Sequence, residues 1–63
     1  MFNIRMQNKN ISYNTGTYVA PELATAMLRA KLAHPDSEVV RVRQWRREQN
    51  TWVTVFETES QMQ

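Results

Sequence analysis

Four arginines and a tryptophan crowd one short stretch, Arg41-Val42-Arg43-Gln44-Trp45-Arg46-Arg47. On a strand, alternate side chains point the same way, so Arg41, Arg43, Trp45 and Arg47 are expected on one face. A guanidinium grips a carboxylate or phosphate bidentately, and an indole stacks on a base or anchors in a partner's pocket. Trp52, in the next apolar stretch, is the natural fifth member of this candidate binding set. A single arginine on the outer face of a strand is just as readily a solvated residue, with Glu57 or Glu59 across the ladder. The clustering with Trp45 is what favours a binding surface.

Other chemistry-bearing residues point away from catalysis. His34 is the one histidine, and it precedes Pro35 where a helix should end, so it is expected to meet the last helical carbonyls. Glu57 and Glu59 are one strand spacing apart, yet an edge strand next to a chain end does not supply the dry setting that tunes an acid pair. Ser12, Ser37 and Ser60 have no predictable histidine partner. One glycine cannot build a phosphate-cradling loop. Without cysteine there is no disulfide framework, thiolate metal site or thiol nucleophile, which suits a reducing cytosol. The expectation is a non-enzyme with no catalytic residues, no metal and no cofactor.

These residues must be positioned by a small domain. A chain of 63 residues buries only about 60% of the surface its unfolded form exposes, so the core is expected to be one helix layer on one sheet layer. Eight Lys and Arg against six Asp and Glu give a formal charge of +2, too little by itself to call for nucleic acid. Distribution says more, because residues 39–47 carry four arginines and no acid while Asp36, Glu38, Glu48, Glu57 and Glu59 surround them. No apolar run approaches the roughly 18 residues that span a bilayer, and the first residues lack a secretory layout. A cytoplasmic chain without a membrane partner is expected.

Read in order, Phe2, Ile4 and Met6 alternate with Asn3 and Arg5 as a strand with one buried face. A two-residue turn at Asn8-Lys9 sets Met6 opposite Ile11 and Ile4 opposite Tyr13, with Lys9 at the tip. Asn14-Thr15-Gly16-Thr17 breaks the second strand, where Gly16 permits a bend or bulge. Pro21 suits the first helical position and Glu22 the first turn. Residues 21–34 are rich in helix formers, with Leu23, Ala24, Met27 and Leu28 as the apolar stripe, Ala30 at its edge, and Glu22, Thr25 and Arg29 facing water. Lys31 should bury its stem near that stripe.

Pro35-Asp36-Ser37 returns the chain to a strand from Val39 to Arg47. A second hairpin at Glu48-Gln49-Asn50 then leads to a last strand, Thr51 to Glu57. A two- or four-residue loop puts Val40, Val42, Val53 and Val55 on the helix side, and Arg41, Arg43, Trp45, Trp52 and Phe56 on the other. A three-residue loop moves Trp52 and Phe56 to the valine side. The first is preferred, since it gives the helix all four valines. Residues 59–63 are expected to fray from a single domain spanning 1–63. The fold class expected is α+β, in the order ββαββ, with an antiparallel sheet of three or four strands and one helix packed on one face.

The stretch Tyr18-Val19-Ala20-Pro21-Glu22-Leu23-Ala24-Thr25-Ala26, followed by Glu38-Val39-Val40-Arg41-Val42-Arg43, resembles the small host RNA polymerase inhibitor of T7-like phages. That family has a hairpin, one helix rich in Ala and Leu, and a strand with an Arg-x-Arg pattern. The likeness covers less than half the chain. It implies a phage-type protein that binds a bacterial polymerase and blocks transcription initiation without catalysis, with Arg41 and Arg43 in contact with the polymerase. Here the helix carries Glu22 beside Arg29 and Lys31 where the family's helix face is strongly acidic, and a full strand, Trp52 to Phe56, follows the arginines.

Three functions compete on this reading. The first is a protein-binding module that inhibits a bacterial host protein through Arg41, Arg43, Trp45, Arg47 and Trp52. The second is a nucleic-acid binder using the same face, with phosphate contacts and base stacking. The third is a homodimer in which an exposed sheet face or edge is the interface.

Overall fold

The computed structural model describes residues 1–58. Four strands and one helix follow one another as β1 (Phe2–Asn8), β2 (Ile11–Tyr18), α1 (Leu23–Ala33), β3 (Glu38–Arg46) and β4 (Thr51–Glu57). All four strands form one antiparallel sheet in the order β2-β1-β3-β4, so the fold is α+β and ββαββ as expected. The helix connection carries the chain from the β2 edge past β1 to β3. The frayed tail expected at 59–63 lies outside the described residues.

Alternation in β1 holds: Phe2, Ile4 and Met6 are buried and face the helix. The first hairpin turns one residue later than expected, at Lys9-Asn10, with Lys9 taking the left-handed conformation at φ 58°. Met6 therefore pairs with Tyr13, and Asn8 with Ile11. Moving the loop by one residue shifts the pairing by two, which preserves the faces and changes the neighbours. Tyr13 gains from this. Its hydroxyl meets buried Ser37, and its ring meets His34 edge-on at 5.7 Å. Ile11 is left at the hairpin end, 68% exposed.

The second strand bends without breaking. Arg5 pairs with Asn14 and Ile4 with Gly16, which leaves Thr15 as the extra residue of a bulge. Gly16 sits at φ 114°, a backbone conformation that residues with a Cβ rarely adopt. Asn14 Oδ1 accepts the Gly16 N–H at 2.8 Å, and the Thr15 hydroxyl donates to the Ile4 carbonyl at 2.9 Å. Tyr13 and Tyr18 differ by an odd number in sequence. The bulge is what lets both pack against the core.

Helix α1 begins at Leu23, two residues later than expected. Pro21 precedes the helix, and Glu22 is the N-cap, with extended backbone and no side-chain hydrogen bond to the first turn. The C-cap His34 donates its backbone N–H to the Ala30 carbonyl at 2.9 Å, whereas its ring, expected to meet the last helical carbonyls, turns to Tyr13. The buried face also differs. Ala26 and Ala30 are fully buried with Leu23 and Met27 packed beside them, whereas Ala24 is exposed and Leu28 is 59% exposed.

Two cations flank the helix in this orientation. Arg29 donates to the Val19 carbonyl at 2.8 Å, so it bonds to the chain and not only to water. Lys31 donates to the Ser37 carbonyl at 2.7 Å and pairs with Glu38 at 3.1 Å. Each ties one flank of the helix to a connecting segment. Small Ala26 and Ala30 side chains then let the helix approach a sheet whose upper face carries Phe2, Ile4, Met6 and Val42.

In the second hairpin, β3 runs from Glu38 to Arg46 and a four-residue loop, 47–50, joins it to β4. Arg46 pairs with Thr51 and Trp45 with Trp52, the even-numbered register preferred above. Asn50 takes the left-handed conformation at φ 53° within this longer loop. Two more bulges follow: Arg5 pairs with Arg41 but Met6 with Val39, which leaves Val40 extra, and the last lies in β4. Arg43 pairs with Thr54 but Val42 pairs with Phe56, so Val55 is extra. That one residue turns Phe56 onto the core face, against the expectation that it would stand with the arginines.

Candidate binding face

One face of the sheet is covered by α1 and the other is open. On the open face the pairings set side chains in rows across the strands. Asn14, Arg5, Arg41 and Glu57 make one row, Thr17, Asn3, Arg43 and Thr54 the next, and Trp45 and Trp52 stand together beyond them. Arg41, Arg43, Trp45 and Trp52, four of the five residues expected in the site, are thus brought together.

Arg47 is not among them. The strand ends at Arg46, so Arg47 sits exposed in the 47–50 loop, where strand alternation no longer aims its side chain. Its carbonyl accepts the Asn50 N–H at 3.2 Å. Arg46 belongs to the other face, and its Nε donates to Gln44 Oε1 at 2.9 Å.

Arg5 is the residue that sequence reasoning left out. It stands directly opposite Arg41, and its Nε donates to Ser12 Oγ at 2.9 Å. The alternation of β1 already places Arg5 opposite to Ile4; what it lacked was the neighbour relation of β1 and β3. Asn3 joins through the same pairing, and its amide exchanges hydrogen bonds of 2.7 and 3.4 Å with Asn14. A shallow hollow on this face is lined by Asn3, Arg43 and Trp52.

The electrostatics of the face follow from these neighbours. Lys31 pairs with Glu38 on the helix side, while on the open face Glu57 stands directly opposite Arg41, and Arg43 stands between Asn3 and Thr54. Like charges directly opposite on a ladder repel. Trp45 and Trp52 meet edge-to-face, with ring centroids 5.5 Å apart and planes at 64°, a favoured aromatic geometry. Trp45 is half-buried and Trp52 is 36% exposed, so the pair is partly shielded yet accessible. The arrangement can hold anionic groups beside an apolar anchor.

Ser37 is buried against the Tyr13 hydroxyl, and Ser12 serves Arg5. Among the described residues no three of His, Asp and Glu gather as metal ligands. No described helix is long and apolar enough to cross a membrane. No family model, curated protein or solved structure matches the chain.

Proposed function

We propose that this chain is a non-catalytic binding module that docks on an acidic surface of a partner protein through Arg5, Arg41, Arg43, Trp45 and Trp52. The observation that supports this most is the Arg5–Arg41 pairing next to Arg43, three guanidinium groups on one face with Glu57 as the one described carboxylate in their rows. The excess positive charge of such a face favours a partner's carboxylates, and an edge-to-face aromatic pair beside it has the composition of an interface hot spot. Following the resemblance in the helix and the Arg-x-Arg strand, the partner is a bacterial host protein, with RNA polymerase the first to test, and the outcome of binding is inhibition. Nucleic acid is the alternative ligand of the same face.

Capture from a bacterial lysate by the immobilised chain, with and without nuclease, tests this. Arg43→Glu is expected to abolish capture of a specific protein while the circular dichroism spectrum stays folded, because Arg43 is exposed and holds no structural bond. Capture that survives Arg43→Glu overturns the assignment. Capture that disappears with nuclease, and affinity for nucleic acid that falls steeply with salt, move it to the alternative. A dimeric mass by light scattering, unchanged by Arg43→Glu, would favour a structural homodimer.

A further inference from the structure

The sheet order leaves β4 at an edge, with one side paired to β3 and no described strand on the other. From Thr51 to Phe56 it has no charge, no proline and no glycine, and every residue is β-branched or aromatic; Glu57 closes the strand. Exposed edges usually carry a charge, a proline or a distortion that deters another strand. The opposite edge follows that rule, since β2 is interrupted by the bulge at Thr15 and the glycine at φ 114°. In β4 the bulge comes late, at Val55, and Thr51 to Thr54 stay in regular register with Arg46 to Arg43.

We propose that the outer edge of β4 takes an extended acidic segment of the partner protein as a fifth strand. This rests on the protein-binding reading above and adds the mode of binding to it. Main-chain hydrogen bonds to β4 supply affinity, and the side chains that alternate onto the open face supply specificity. An added strand lies about 4.8 Å beyond β4. Between Arg43 and that strand stands only Thr54, a short side chain over which the guanidinium can lean. A carboxylate level with Thr54 then meets Arg43, and an apolar residue two positions away meets Trp52.

Charge selects this occupant over the other candidates. A second copy pairing β4 to β4 antiparallel has its two-fold axis normal to the sheet, which keeps both arginine faces on one side and adds a second net positive chain to a face already rich in arginine. Nucleic acid has no peptide row to offer the edge. An acidic strand satisfies both the backbone and the arginines.

The test uses the full chain, isotopically labelled, and a synthetic peptide alternating glutamate with valine over about eight residues, a strand's length. Two further peptides carry N-methyl groups at alternate residues, one for each parity, and a fourth replaces glutamate by lysine. The parent peptide is expected to bind and to slow amide exchange in β4. One N-methylated peptide should lose at least about tenfold in affinity, roughly 1.4 kcal/mol, while the other parity binds like the parent and the lysine peptide does not bind. If both N-methylated peptides match the parent, and Arg43→Glu still weakens them, charge alone holds the peptide; strand addition is overturned and the binding face survives. If the lysine peptide binds equally, the acidic chemistry is overturned. If the parent peptide fails to bind, the inference falls, and the lysate capture judges the wider proposal separately.

Discussion

Arg5 shows how a side chain can be poorly placed for stability and well placed for recognition. Its guanidinium faces Arg41 across the β1–β3 ladder, and a cross-strand pair of like charge is unfavourable by the same order that an opposite pair is favourable, about 0.2–1 kcal/mol. Arg5→Thr removes the repulsion and places a good strand former on the same face. It is expected to raise the urea midpoint slightly at low salt, with the gain shrinking as salt screens the pair, and to weaken partner binding. A denaturant titration at two ionic strengths checks the first part, and a destabilised variant at both would contradict it.

At the scale of elements, the start and the outer side of α1 are open to change. Glu22 occupies the N-cap without giving a side-chain bond, whereas serine there bonds the first-turn N–H groups. Glu22→Ser is therefore expected to stabilise the fold by about 0.5–1 kcal/mol, read from the urea midpoint. Leu28 projects from the helix away from the sheet, so Leu28→Gln should stay within about 0.5 kcal/mol of the parent chain. A loss of several kcal/mol, or a fall in mass by light scattering, would show instead that this helix face is covered in solution.

The whole molecule has little stability to spare. With 63 residues at the usual 0.05–0.15 kcal/mol per residue, roughly 3–9 kcal/mol separates folded from unfolded chain. Its core is one layer deep, with Ile4 fully buried at the centre of β1, between β2 and β3. Truncation there costs about 2–5 kcal/mol. Ile4→Ala is accordingly expected to leave a substantially unfolded population at room temperature, visible in far-ultraviolet circular dichroism. A tightly bound partner would shift that population back, because binding to the folded form alone stabilises it.

Much of this architecture is legible in local pattern. Alternation in Phe2, Ile4 and Met6, helix formers before Pro35, and valines alternating with Arg41 and Arg43 each report a period that the backbone imposes on its own, and together they specify ββαββ. Periodicity also placed Arg41, Arg43 and Trp45 on one side, while Trp52 joined them only through the register of the second hairpin. It could not place residues whose direction depends on a single inserted position. Phe56 turns inward because Val55 bulges, and Tyr18 turns inward because Thr15 does, and each bulge is settled by what the face packs against. The helix rotation was equally hidden: Ala26 and Ala30 lie against the sheet and Leu28 faces out, with Arg29 and Lys31 bonded to the chain at the flanks. Arg5 entered the face last of all. Its type and alternation were in the sequence, but β1 lies beside β3 only because the helix carries the chain past it, and contact between positions 5 and 41 is a property of the folded sheet.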